Sequence, residues 1–402
     1  MTYFTKTPGR HHLRALSIAL AVTAVSAAAA AEDPNDHRSA YLQTNLISSQ
    51  PGIAPNTNAD LQNAWGIAFP PGGPFWVNSN NTGLSFLVDG TGAPIAALPQ
   101  VTIPLPTPTR GDNNPNGTSA PTGIFWNGTS GFVVPADKAA AAFVFDTEDG
   151  TIVGWNGSLG TTASIVVDNS NVGPDNGAVY KGLDFGVNVH GSYLFAANFR
   201  AGTIDVYDST FTAVLLDGAV PNPSNPTNID GRFTDPDPLP GFAPHGIHNI
   251  NGDLYVAYAK QDAPAHDDVA GSGNGFVDIF DTDGHFLRRF ASRGALNAPW
   301  GVALAPAGFG QFAGDILVGN FGDGRINVYD KNGNFISQLE DPSGHPITID
   351  GLWALNFGGG IRSSPDTLYF SAGPNGGSDG LFGTITAQPA GDEHAAMSND
   401  GQ

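Results

Sequence analysis

Six residues stand just before a recurring glycine, where a short apolar segment begins: Trp65, Thr122, Lys181, His245, Trp300 and Asp350. Two indoles, an ammonium, an imidazole and a carboxylate around one opening would bind a small polar or aromatic ligand. The competing account is packing, with the Trp residues wedged between structural units and Asp350 paired to Lys181. His245 and Asp350 are also residue types that move protons, so a hydrolase or lyase assisted by a divalent metal is the alternative activity. Joint zinc ligation by His245 and His248 is disfavoured, because strand residues three apart point to opposite faces.

Two other stretches carry oxygen ligands for a hard cation such as calcium. Residues 259–274 hold Lys260, Gln261, Asp262, His266, Asp267 and Asp268 in a loop longer than a simple connection needs. Its three Asp could share a cation, and Lys260 and His266 could meet a ligand beside His245. Asp112, Asn114 and Asn116 follow the alternation of a calcium loop, but Gly123 stands where that loop needs a Glu, and Pro115 is foreign to it. The run from Asp168 to Gly177 is a weaker example. Plain polar turns compete in every case. Asn198, Asn320 and Asn375 read as turn caps. No phosphate loop, His-Glu-x-x-His or Cys nucleophile occurs.

The elements that must position these residues repeat. The glycines at 66, 123, 182, 246, 301 and 351 are separated by 57, 59, 64, 55 and 50 residues. Each opens an apolar strand and is followed by a second one, such as Phe75-Trp-Val, Phe132-Val-Val or Leu254-Tyr-Val. A third, alternating strand ends in Asp, as in Thr203–Asp208 and Arg325–Asp330. Asp89-Gly90, Asp149-Gly150, Asp283-Gly284 and Asn332-Gly333 then turn the chain into a fourth. Six four-stranded antiparallel units predict an all-β, six-bladed propeller. The sixth repeat lacks a fourth strand, and an orphan strand at Tyr41–Ile47 precedes the first, so the N-terminus is expected to complete the last blade. Residues 41–386 form one domain in this scheme, after a linker at 32–40 and before a polar, disordered tail at 387–402.

Composition agrees. The 402 residues include 53 Gly and 31 Pro but no Cys, and only 13% are charged, which suits strands and turns rather than long helices. All but four of the 37 acidic residues are Asp, a turn former. Residues 1–31, with Lys6, Arg10 and Arg14 before an apolar run and small residues, read as a cleaved secretory signal. Their removal takes away three basic and no acidic residues, moving the net charge from −21 to −24. Such a chain should shun nucleic acid and span no membrane. A monomer, secreted or periplasmic, is expected.

The stretches Thr147–Asn156, Ala197–Asp205, Tyr258–Asp262, His266–Asp278, Val318–Asn327, Ala372–Asn375 and Gly380–Gly383 resemble a family of uncharacterised secreted bacterial propellers related to NHL-type repeats. Some members carry a PEP-CTERM sorting tail, whose apolar helix and basic end this chain lacks. The resemblance implies the fold and export, and assigns no activity. Gluconolactonase-type propellers hold a divalent cation in a ring of carboxylates and amides at this mouth; the Lys among the six residues here argues against a copy of that site. Binding of an extracellular ligand or protein partner is the leading expectation.

Overall fold

The computed structural model describes residues 40–107, 117–171, 177–216 and 229–388. The signal segment, Asp112, Asn114, Asn116, residues 172–176 of the 168–177 run and the tail from 389 lie outside them. Six antiparallel sheets form a six-bladed β-propeller. The innermost strands are Ala64–Ala68, Pro121–Trp126, Tyr180–Asn188, Phe242–Ile250, Pro299–Leu304 and Leu352–Phe357. Blades 1, 2, 4 and 5 have four strands, and blade 3 has three among the described residues. Among those residues, no helix is long and apolar enough to cross a membrane.

Ring closure follows the expected plan. Ala40–Ser48 pairs antiparallel with Leu381–Gln388, from Ala40 opposite Gln388 to Ser48 opposite Leu381. Tyr41 is fully buried there, against Phe309 and Phe312 of blade 5, and donates its hydroxyl to Phe309 O at 3.1 Å.

The two-residue period of the strands explains why the blades stack. In Asp253–Lys260, Leu254, Val256 and Tyr258 join the apolar cluster shared with blade 3, while Tyr255 and Ala257 join the one shared with blade 5. Every pair of neighbouring blades shares such a cluster. A blade buries both faces only between two others.

The abundant Asp is largely turn chemistry. Asp89, Asp208, Asp281, Asp330 and Asp341 each accept, through Oδ1, the backbone N–H groups two and four residues ahead, at 2.8–3.1 Å. Such bonds favour the ionised form: the Asn334 side chain and these backbone groups hold Asp330, and the backbone N–H groups of His345 and Ser343 hold Asp341, below the usual carboxylate range.

Two strand assignments from sequence need correction. The second strand of blade 2 is Phe143–Thr147, whereas Val133–Val134 pairs with Ala139–Ala140 in an inserted hairpin. The turn at Asp149-Gly150 therefore joins second and third strands, not third and fourth. In blade 6, Gly351 lies in a left-handed turn (φ +66°) before the innermost strand, so it is not the equivalent of the other five marker glycines.

Candidate functional site at the channel mouth

Each innermost strand carries a register shift against its neighbour, between Ala64 and Ile67, Pro121 and Ile124, Tyr180 and Leu183, Pro244 and Gly246, Pro299 and Val302, and Leu352 and Leu355. The residues in these bulges are Trp65, Thr122, Lys181, His245, Trp300 and Trp353, each followed by Gly or, in blade 6, Ala354. A bulge re-aims a side chain that regular pleating would point elsewhere. The following glycine is required by close approach: a Cβ on Gly301 would lie 2.6 Å from Trp353 O of the next blade.

Five of the six residues expected at the mouth are therefore brought together, all buried. Asp350 is not among them. It is exposed, and its Oδ2 accepts the backbone N–H of Asn375 at 2.8 Å, so it neither pairs Lys181 nor joins His245. Trp353 takes its place. Trp353 stacks on Trp65 with centroids 3.5 Å apart, and Trp300 meets both edge-on. Phe199 and Phe321, from the two Asn-Phe-x-x-Gly loops, extend this floor: Phe321 stacks on Trp353 at 4.0 Å and Phe199 lies 5.4 Å from the His245 ring. Asn198 caps its loop, accepting Ala201 N, whereas Asn320 accepts Asn297 N and donates to Ala295 O, tying its loop to the segment that precedes the innermost strand of blade 5. Asn375 instead ties its amide to Asp379.

Lys181 is the electrostatic centre. Its side chain is 2% exposed, and its ammonium pairs with Glu148 of blade 2 and, at 3.2 Å, with Asp267 of the long loop. It also lies 5.4 Å from the face of Trp65. Burial opposes the charge, but Glu148 and Asp267 outweigh it and hold the lysine above its ordinary range. Glu148, absent from the sequence expectations, reaches the mouth because its turn follows a second strand; Asn80 also donates to it at 2.9 Å.

The loop, 261–274 in the structure, covers this centre. Gln261 donates to Phe199 O at 2.6 Å. Asp262 accepts the backbone N–H groups of His266 and Asp267, a purely local role. His266 Nδ1 is 2.8 Å from Asp267, and this bond with the nearby Lys181 holds Asp267 well below the usual carboxylate range. Lys260 is exposed at the end of its strand.

Asp268 is buried, with Oδ1 3.6 Å from His245 Nε2. Desolvation lifts its pKa to about 6. The same effect, with Lys181 nearby, lowers His245 to about 3, so the imidazole is neutral and the contact is not an ion pair. His245 Nδ1 carries the proton, because it lies 2.9 Å from Pro299 O, which can only accept. His248 points Nε2 to a different carbonyl, Trp300 O at 3.0 Å. Trp65 Nε1, His245 Nε2 and Asp268 Oδ2 at the mouth are buried without a partner, as is His266 Nε2 on the loop above.

A divalent cation does not fit this arrangement. Glu148, His266 and Asp267 bring ligand atoms within 4.8 Å of one another, but the buried ammonium of Lys181 already engages two of the three. A cation among them would face that charge at close range in a poorly solvated site. Asp262, Asp267 and Asp268 do not converge either, since the first caps backbone and the last faces His245.

No family model matches the chain. It is 33% identical over 343 residues to the uncharacterised protein R648 of Acanthamoeba polyphaga mimivirus, covering 85% of this chain and 78% of that one. The uncharacterised protein L690 of the same virus is 34% identical over 346 residues, covering 85% and 84%. These relatives are viral, so the bacterial origin and sorting tails implied by the family resemblance find no support. Among solved structures, a protein of unknown function from Bacteroides thetaiotaomicron VPI-5482 superimposes with a TM-score of 0.50 at 10% identity, over 87% of this chain and 77% of that one. At that identity the likeness shows the fold alone.

Proposed function

Because the chain belongs to the family of the uncharacterised mimivirus proteins R648 and L690, we propose its function from its own geometry: an exported, ligand-binding propeller. Its ligand is small and hydroxyl-bearing, and is held at the loop-covered mouth. The observation that carries this reading is the trio of buried, unpartnered atoms on Trp65, His245 and Asp268. Each orphaned polar group costs about 1–3 kcal/mol in a folded protein. Together they offer one N–H donor, one bare lone pair and one carboxyl oxygen, next to a charged lysine and an aromatic floor. A hydroxyl both donates and accepts, so a molecule with two or three of them satisfies all three atoms. Export rests on the basic, apolar and small-residue order of residues 1–31.

Trp65 and His245 are buried beneath residues 261–274, so entry requires that loop to lift from its contacts with Lys181 and Phe199. The test is calorimetric titration with a panel of small polyols and monosaccharides against the wild type, Trp65→Phe, and a variant with 261–274 replaced by a short Gly-containing turn. Binding of at least one panel member, weakened about tenfold in Trp65→Phe and lost in the loop variant, is expected. No binding by any member, or binding indifferent to both changes, overturns the reading.

A further inference from the structure

The opposite end of the channel holds a separate cavity of about 240 Å³. It is formed by the parts of the innermost strands that follow the bulges, and its walls include Ile67, Phe69, Ile124, Phe125, Phe185 and Leu355. Trp300 lies between it and the mouth: its ring lines the cavity, while its indole N–H donates to Lys181 O at 2.7 Å.

Three polar side chains interrupt the apolar wall, and all of them present acceptors. Asp184 accepts Phe185 N through Oδ1 and Asn249 N through Oδ2, both at 2.7 Å. Each oxygen keeps a further lone pair, and no cationic side chain pairs with it. His248 spends its Nε2 proton on Trp300 O, which leaves Nδ1 a bare lone pair. Asn356 spends one amide N–H on Ile67 O at 2.6 Å, leaving its carbonyl oxygen and a second N–H.

An apolar chamber whose one charged group is a carboxylate without a cationic partner asks for a cationic donor. We propose that this cavity is a second binding site, taking a small organic ammonium ion whose charge meets Asp184 and whose apolar body fills the aromatic wall. An ammonium carries the opposite charge and offers donors to the acceptors of Asp184, His248 and Asn356. Phe125 and Phe185, stacked at 5.1 Å, add ring faces that attract a cation. The volume lies below the ~300 Å³ at which drug-sized sites begin, so one ring with a short amine arm is the fitting scale.

The probes are phenethylamine and its uncharged counterpart 2-phenylethanol, titrated calorimetrically into the folded protein at about pH 7.5 and pH 5. The amine should bind at least about tenfold more tightly than the alcohol at the higher pH. That preference should shrink at the lower pH, because burial raises Asp184 to about 6 and it becomes protonated. The other titratable group lining the cavity, His248, is lowered to about 4 and stays neutral across this range. Asp184→Asn should erase the preference while retaining the alcohol. Absence of amine binding, or equal affinities of amine and alcohol at pH 7.5, would each overturn the proposal. The wild-type comparison decides the matter even where Asp184→Asn does not fold.

Discussion

Trp300 of blade 5 donates its indole N–H to the backbone carbonyl of Lys181 in blade 3, bonding two blades that are not neighbours. The bond closes the channel midway and fixes the strand carrying the buried ammonium. Trp300→Phe keeps a ring in place but orphans that carbonyl, so a loss of about 1–3 kcal/mol is expected in urea unfolding. A change within about 0.5 kcal/mol would show that the bond contributes nothing beyond packing.

Lys181 and Glu148 are mutually dependent. Removing the ammonium in Lys181→Met leaves Glu148, whose side chain is 13% exposed, without its counter-charge. The expected cost is about 3–5 kcal/mol, since an unpaired buried charge is more expensive than no charge. Adding Glu148→Gln in the same chain should restore at least ~1 kcal/mol of it by removing the stranded carboxylate. Strict additivity of the two changes in a double-mutant cycle would contradict the coupling.

Asp146 sets a pH dependence of opposite sign to the turn aspartates. Desolvation raises its pKa to about 7, against hydrogen bonds from Thr122 and Gly123. A folded-state pKa above the unfolded value of 3.8 means that its stabilising contribution is complete below pH 3.8 and is lost as pH rises towards 7. Asp146→Asn should therefore gain on the wild type across that window, by at most about 1.4 kcal/mol per pH unit. Melting temperatures of both proteins at pH 5 and pH 8 check it, and a pH-independent gap would refute it. The buried imidazoles His245 and His248 titrate alike in both proteins and cancel.

Tyr41 anchors the closing strand. Tyr41→Ala should cost about 3–5 kcal/mol, as for other buried aromatics, and Tyr41→Phe only the hydroxyl bond to Phe309 O, about 1 kcal/mol. Equal effects of the two changes in denaturant titrations would mean that ring packing is irrelevant to closure.

Much of this molecule was legible in its sequence, because alternation and Asp-containing turns are local signals. Blade number, N-terminal closure and the cap at Asn198 are set by a few neighbouring residues. Glu148 was missed for a physical reason: an Asp-Gly turn looks the same whichever two strands it joins, and the inserted hairpin at Val133–Ala140 mimics a second strand. Trp353 was hidden because Ala354 replaces the bulge glycine, while Gly351 two residues earlier serves a left-handed turn. Phe199 and Phe321 lay in recognised loops, but only the folded ring shows that they face Lys181, His245 and Trp353.

The pairing of Ala40–Ser48 with Leu381–Gln388 also orders events in time. The two partners lie more than 300 residues apart, and at roughly 5–20 residues per second a ribosome takes about 15–70 s to pass from one to the other. Until then the first strand lacks its antiparallel partner, and the sixth blade cannot form however complete the other five are. A nascent chain of this design stays open until Leu381–Gln388 has been made, which gives any machinery that must thread it a window set by a single hydrogen-bonded edge.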